Sequence, residues 1–185
     1  DSAWAKSTNT SITATNIAAP DGTTNGDEVT FAAAAGTETI KQISTTAVAS
    51  NTFTVSVWLK AGSALTVRLG IIDEAGTPAG TYQNCSVTTS WQRFTSSHTF
   101  SSGTGNAVLI LDDNAAAGAV VVHAWGGQLE QTSTPGVYVE TVTSTVAASR
   151  GVVTNADFKT SNLTLIEGGT IGVPSDTDLL GFAAN

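Results

Sequence analysis

Strict alternation of apolar and other side chains along residues 53–60 constrains the fold of this chain more than any other feature. A period of two is typical of a β-strand that packs on one side only. The segment therefore predicts a sheet with one face in the core and one face in solvent. Facing the core would be Phe53, Val55, Val57 and Leu59, and facing solvent would be Thr54, Ser56, Trp58 and Lys60.

Similar short runs recur along the chain, and turn residues such as Asp21-Gly22 and Asn25-Gly26 separate them. No window repeats apolar residues at helical spacing. Short strands separated by glycine turns favour an all-β sandwich or barrel. The predicted strands are residues 11–17, 28–33, 38–45, 53–60, 65–73, 81–87, 92–100, 107–111 and 120–129.

The composition favours a folded chain without nucleic-acid or membrane partners. Charged residues make up 12% of the 185 residues and hydrophobic residues 41%, whereas disordered chains are rich in charge and poor in apolar groups. The formal net charge is −8 with only seven basic residues, which argues against binding to a phosphate backbone. No segment approaches the ~20 apolar residues of a membrane span, so we expect no membrane insertion.

The residues that could carry catalysis are few. His98 and His123 lack the spacing of a metal-binding motif. Asp112 and Asp113 are adjacent, so in a strand they would point to opposite faces and could not flank one glycosidic bond. The single Cys85 excludes an intramolecular disulfide, and we expect it to be a small packed residue. The sequence therefore predicts no enzyme and no catalytic residue.

Four segments follow one another in an informative order. They are residues 53–60, Trp91-Gln-Arg-Phe94, Trp125-Gly-Gly-Gln-Leu-Glu130 and Ser133-Thr-Pro-Gly-Val-Tyr138. This order resembles the carbohydrate-binding-module-like jelly rolls of bacteriophage tail and fibre proteins, over roughly residues 4–140. The resemblance implies an antiparallel two-sheet jelly-roll sandwich, which we assign to residues 1–148. Its inward side chains would be Phe53, Val55, Val57, Leu59, Leu69, Ile71, Phe94, Ile110 and Val122.

Residues 149–185 differ in character from the preceding part of the chain. They hold a few short apolar runs with polar or glycine-rich links, too few for a core of their own. The stretch 168–180 resembles segments that join modules in phage fibres. We therefore expect an oligomerisation or module-joining segment that is ordered by contacts between subunits, and the resemblance implies a homotrimer. A flexible tail is the alternative interpretation.

One outward face is the candidate glycan-binding site. If the apolar set of each strand is buried, Trp58, Arg68 and His123 point outward, and so does Trp125. A flat indole beside hydrogen-bonding groups suits a pyranose ring, which has an apolar face and a rim of hydroxyls. The alternative is that Trp58 and Trp125 only pack within the scaffold or against another subunit. We expect Trp4 and Trp91 to pack in the core or at its edge.

Calcium is the one cofactor that the sequence leaves open, as a structural ion. The candidate ligands are Asp21, Asp27 and Glu28, which follow Pro20, and Asp112 and Asp113 could also contribute. Calcium needs six to eight oxygen ligands, and no EF-hand loop is present. Solvated acidic residues are the alternative interpretation.

The sequence is compatible with two functions. The first is a non-enzymatic structural or adhesion component of a phage virion, on its extracellular surface. Its partners would be other virion proteins and host-surface polysaccharide. The second is the carbohydrate-binding module of a secreted glycan-degrading enzyme.

Overall fold

A computed structural model describes residues 4–77 and 79–140. This part of the chain contains ten strands and no helix, and hence no helix able to cross a membrane. The segment 149–185, for which we predict oligomerisation or module joining, lies outside the described residues. The strands are β1 (Ala5–Lys6), β2 (Thr10–Ile17), β3 (Gly26–Phe31), β4 (Thr39–Ala47), β5 (Thr52–Lys60), β6 (Leu65–Asp73), β7 (Thr81–Val87), β8 (Gln92–Thr99), β9 (Asn106–Asp112) and β10 (Val120–Glu130).

The strands form two five-stranded antiparallel sheets. Sheet I has the order β1-β4-β9-β6-β7, and sheet II has the order β2-β3-β10-β5-β8. The predicted all-β, two-sheet jelly-roll sandwich is confirmed. Each of the nine predicted strands is present with ends within two residues of the prediction, and only the short β1 was not predicted.

The core lies between the two sheets. Its largest fully buried side chains include Phe31, Phe53 and Phe100. Burial of such apolar surface, at roughly 25 cal/mol per Å², is the main favourable contribution to folding. Phe94 is only partly buried but packs against this core. The predicted inward residues that belong to the core are Phe53, Val55, Val57, Leu59, Leu69, Ile71 and Val122.

Ile110 is the predicted core residue that the structure places elsewhere. Leu109 and Leu111 belong to the core between the sheets, so Ile110 points to the outer face of sheet I. It is nonetheless buried, at 6% exposure. A Cβ on Gly70, its partner on β6, would lie 2.7 Å from Ile110 and from the Tyr82 ring. The prediction was wrong because residues 107–111 are apolar throughout and therefore carry no alternation.

Strand β5 is buried on both faces along part of its length. Thr54 and Ser56 point away from the core, yet they are 0% and 1% exposed. The expectation of one-sided packing is therefore wrong here. Thr54 donates from Oγ1 to the Thr132 carbonyl at 2.9 Å, and Arg93 donates to Ser56 Oγ at 2.9 Å. Residues 131–140, which we call the strap, thus cover part of this outer face.

Cys85 is a packed residue, as predicted. It is fully buried in the core, and no other cysteine exists for it to pair with. Burial raises the pKa of its thiol to about 11. The thiol is therefore protonated at neutral pH and is a poor nucleophile.

Candidate functional site

The four segments of the sequence motif build one surface. Three of them form β5, the start of β8 and most of β10, and these strands are neighbours in sheet II in the order β10-β5-β8. The fourth segment lies in the strap on the outside of the same sheet: Gln128 Nε2 donates to the Val137 carbonyl at 3.3 Å, and the Val139 amide donates to Gln128 Oε1 at 2.9 Å. All four segments of the motif therefore contribute to this surface.

Trp58 lies at the middle of this surface. It is opposite Trp125 on β10 and opposite Arg93 on β8. Directly opposed residues of antiparallel strands point to the same side, with Cβ atoms about 4.5–5.5 Å apart. His123 joins them, because it is opposite Lys60 on β5. We call this group of Trp58, Lys60, Arg93, His123 and Trp125 the Trp58 face.

Arg68 does not belong to the Trp58 face. It lies on β6 in the other sheet, so the expectation that it shares a face with Trp58 is wrong. Its Nε and Nη2 donate to the two oxygens of Asp112 at 2.8 and 2.9 Å. This hydrogen bonding is also the main reason that the pKa of Arg68 lies above its ordinary value. Arg68 is thus committed to neutralising a carboxylate that is 1% exposed.

A bulge positions Trp125. The register between β10 and β5 shifts between Trp125 and Gln128, so the strand has a bulge at Gly126-Gly127, as adjacent glycines inside a strand pattern indicate. Gly126 has φ +64°, a left-handed conformation that costs glycine little. Trp125 Nε1 donates to Asn25 Oδ1 at 2.8 Å. The Tyr138 ring of the strap lies 4.5 Å from the Trp125 ring, between centroids.

Trp91 and Trp4 pack as expected. Trp91 Nε1 donates to the Ala18 carbonyl at 2.8 Å, and Lys60 Nζ lies 5.0 Å from the Trp91 ring centroid, over the ring. Trp4 is partly buried against the core. Its ring would be 3.3 Å from a Cβ on Gly127, so the absence of a side chain at Gly127 leaves room for the ring. Trp91 consequently borders the Trp58 face beside Lys60.

The charges of the Trp58 face come chiefly from Lys60 and Arg93. Burial lowers the pKa of His123 below its ordinary value, Glu28 opposes this effect, and Lys60 adds to it. His123 is therefore mostly neutral at pH 7. Its Nδ1 lies 4.0 Å from Glu28 Oε2, too far for a hydrogen bond.

The predicted calcium ligands do not converge. Asp21 accepts hydrogen bonds from the Thr23 amide and hydroxyl within an exposed loop. Asp27 and Glu28 are neighbours on β3 and so point to opposite faces. Asp112 pairs with Arg68, whereas Asp113 Oδ1 accepts from the Glu38 amide. Within residues 4–77 and 79–140 no three acidic, histidine or cysteine side chains could hold one ion. These residues therefore do not fit a calcium site.

Tyr82 marks a second aromatic surface, on sheet I. It is 43% exposed, and its ring packs over Gly70. The Arg68 guanidinium lies 5.0 Å from the ring centroid. This surface has one aromatic ring with a neutralised arginine, whereas the Trp58 face brings two indoles together with Lys60, Arg93 and His123.

The comparisons identify the fold. Neither a family model nor a curated protein sequence matches the chain. The CBM4 carbohydrate-binding module superposes with a TM-score of 0.55 and 14% identity, over 71% of this chain and 96% of that one. The CBM22-1 xylan-binding domain from Paenibacillus barcinonensis Xyn10C superposes with a TM-score of 0.56 and 16% identity, over 71% and 87%. The fold is that of a carbohydrate-binding module.

A phage protein shares the fold. The enzymatically active domain of Bacteriophage CBA120 tailspike protein 4 superposes with a TM-score of 0.50 and 10% identity. The match covers 69% of this chain but only 18% of that chain. At these identities the likeness of the carbohydrate-binding modules and of the tailspike establishes the fold alone.

Sequence reasoning did not include Lys60, Arg93 and Tyr138 in the candidate site. Lys60 was predicted to face solvent but was not counted as a site residue. Arg93 was detectable, because inward packing of Phe94 turns its neighbour outward. Tyr138 was not, because nothing in the sequence shows that the strap folds back onto β10. The side chains that the structure brings together as predicted are Trp58, His123 and Trp125.

Proposed function

We propose that this chain is a non-enzymatic adhesion module of a phage virion and that it binds host-surface glycan through the Trp58 face. The observation that carries the proposal is the assembly of all four motif segments into one outer surface with Trp58 beside Trp125. Aromatic rings flanked by amide, guanidinium and imidazole groups are the usual recognition elements for a sugar ring. A carbohydrate-binding-module fold provides a rigid sheet for such a surface.

The virion assignment is supported by the sequence resemblance and by the shared fold of a phage tailspike fragment. The alternative is a carbohydrate-binding module of a secreted glycan-degrading enzyme. The xylan-binding domain named above supports it, as does a Clostridium thermocellum xylanase with CBM22-1 and GH10 modules, which superposes with a TM-score of 0.53 and 14% identity. The match covers 76% of this chain and 28% of the xylanase chain.

Replacement of Trp58 by alanine is expected to weaken glycan binding by about 1–3 kcal/mol, or roughly 5- to 150-fold in Kd. The Trp58 indole lies at the middle of the face, and its loss removes the surface on which a pyranose would stack. Binding would be measured on an array of bacterial and plant polysaccharides, followed by titration calorimetry with the best ligand. Circular dichroism would verify that the variant is folded.

Tyr82→Ala is the matched control, because it removes an aromatic ring from the outer face of the other sheet. It is expected to leave binding unchanged. Loss of binding in Tyr82→Ala with normal binding in Trp58→Ala would move the site to sheet I and contradict the proposal.

Oligomeric state and turnover distinguish the two functions. For a virion adhesion module we expect a trimer of the full chain in light scattering, and a monomer after truncation at Arg150, because residues 151–185 would supply the subunit contacts. We also expect no release of reducing ends from polysaccharides. A monomeric full chain would favour the enzyme-module alternative, and turnover abolished by one carboxylate substitution would contradict a non-enzymatic role.

A further inference from the structure

We propose that the Trp58 face selects a saccharide that carries a carboxylate, such as a uronic acid, and that Arg93 and Lys60 recognise its charge. The inference rests on the proposed function, because it names the class of glycan that the same face would bind. Three observations carry it: an arginine without an anion, a set of direct neighbours of Trp58 that includes two cations and no acid, and the register of Arg93 with Trp58.

Arg93 lacks the anionic partner that Arg68 has. Its Nη2 donates to the Ser56 hydroxyl at 2.9 Å, and its Nε is buried without an acceptor. In the described part of the chain Arg68 with Asp112 is an ion pair within 4.0 Å, and His123 with Glu28 becomes one only when His123 is protonated. A guanidinium has five N–H donors; the buried Nε–H is closed to a ligand and Nη2 already donates once, so the remaining Nη hydrogens are the ones that can bind an external carboxylate.

The charged residues directly beside Trp58 are positive, although the chain as a whole carries a negative net charge. The formal net charge is −8, yet the residues beside Trp58 across and along the sheet are Trp125, Arg93, Lys60 and Ser56, none of which is acidic. Acidic residues lie farther out: Glu28 is opposite His123 on the far side of β10, Glu130 is opposite Thr54, and Asp21 and Glu140 act on Tyr138 of the strap. Exposed charges beyond about 8–10 Å are largely screened at physiological salt. Arg93 and Lys60 are therefore the charged residues placed directly beside a ligand at Trp58.

A uronic acid matches this arrangement in both of its parts. Its ring has an apolar face for the indole, and its carboxylate has two oxygens that fit the planar fork of a guanidinium. Because Arg93 is directly opposite Trp58, their Cβ atoms are about 4.5–5.5 Å apart. One sugar residue can therefore contact both side chains. Lys60, two residues from Trp58 on the same side of β5, extends the positive charge along the face.

The test compares polygalacturonate with its methyl ester, which differ in the charge of the carboxylate. In affinity electrophoresis, polygalacturonate in the gel is expected to retard the wild-type protein. The retardation should fall as the salt concentration rises, and the methyl ester should retard the protein less. Arg93→Gln should weaken binding to polygalacturonate about tenfold or more, and Lys60→Gln should weaken it less. Lys41→Gln, on β4 of sheet I, is the matched control and should bind like wild type.

Two further arms separate the outcomes. Arg93→Lys keeps the charge and loses the fork, so intermediate binding is expected. Equal binding of dextran sulfate and polygalacturonate, with Arg93→Lys equal to wild type, would show recognition of any anion and overturn the proposal. Retention of a neutral glycan alone, lost in Trp58→Ala but not in Arg93→Gln, would overturn it and leave the proposed function standing. Thermal melts would verify that each variant is folded, and the Lys60 variant provides a second test if Arg93→Gln is unfolded.

Discussion

Replacement of Phe100 by alanine is expected to lower the free energy of unfolding by about 3–5 kcal/mol. The side chain is 0% exposed. Its ring meets Phe53 edge-on at 6.3 Å between centroids and His98 at 4.5 Å. Truncation would remove this buried surface and leave a cavity that the two surrounding sheets cannot close. A loss of this size is a large part of the 5–15 kcal/mol that typical domains have.

Urea unfolding measures this effect, with the slope of the transition as a check on two-state behaviour. Phe100→Leu keeps most of the apolar volume and should cost roughly 1.5 kcal/mol or less. Val137→Ala is the surface control, because Val137 is 85% exposed, and it should change stability by about 0.5 kcal/mol at most. A loss below about 1.5 kcal/mol in Phe100→Ala would show that Phe100 is not a central core residue.

Replacement of Arg68 by leucine is expected to cost about 2–3 kcal/mol of stability. The carboxylate of Asp112 is 1% exposed, and its bidentate partner would be lost, which leaves a buried charge without compensation. The value is set below that of a fully buried pair because the Arg68 side chain is 30% exposed and therefore partly screened. Glycan binding by the folded variant should be unchanged, because Arg68 lies on the sheet opposite the Trp58 face.

The double variant Arg68→Leu/Asp112→Asn tests whether the unpaired charge of Asp112 causes the loss of stability. An asparagine carries no charge, and its side-chain oxygen can still accept from the Asn114 amide, as Asp112 Oδ1 does at 2.8 Å. Most of the lost stability should therefore return. A double variant as unstable as the sum of the single variants would show that the unpaired charge is not the source of the loss.

The strand pattern and much of the core were readable from the sequence. Where apolar side chains alternate with other side chains, as in β5, the period of two identifies both the strand and its inward side chains. The bulge at Gly126-Gly127 was also readable, because adjacent glycines inside a strand pattern indicate a bulge. These features depend on neighbours along the chain, and local sequence contains that information.

The candidate site was only partly predictable, since Trp58, His123 and Trp125 share a face but Arg68 does not. Alternation shows that Arg68 points outward, but each sheet of a sandwich has its own outer face, and alternation cannot tell which sheet holds a strand. The order β10-β5-β8 decides this, and it arises from pairings between residues far apart in sequence.

The sequence by itself determined the fold class, the strands, the side of each strand that faces the core wherever polar residues alternate, and the absence of alternation in residues 107–111. Only the tertiary structure decided that Ile110 is outward, that Asp112 neutralises Arg68, that Arg93 is opposite Trp58 and that the strap covers Thr54. The physical reason is that the period of a strand is a local property, whereas sheet membership, register and coverage by a returning segment depend on contacts between distant parts of the chain.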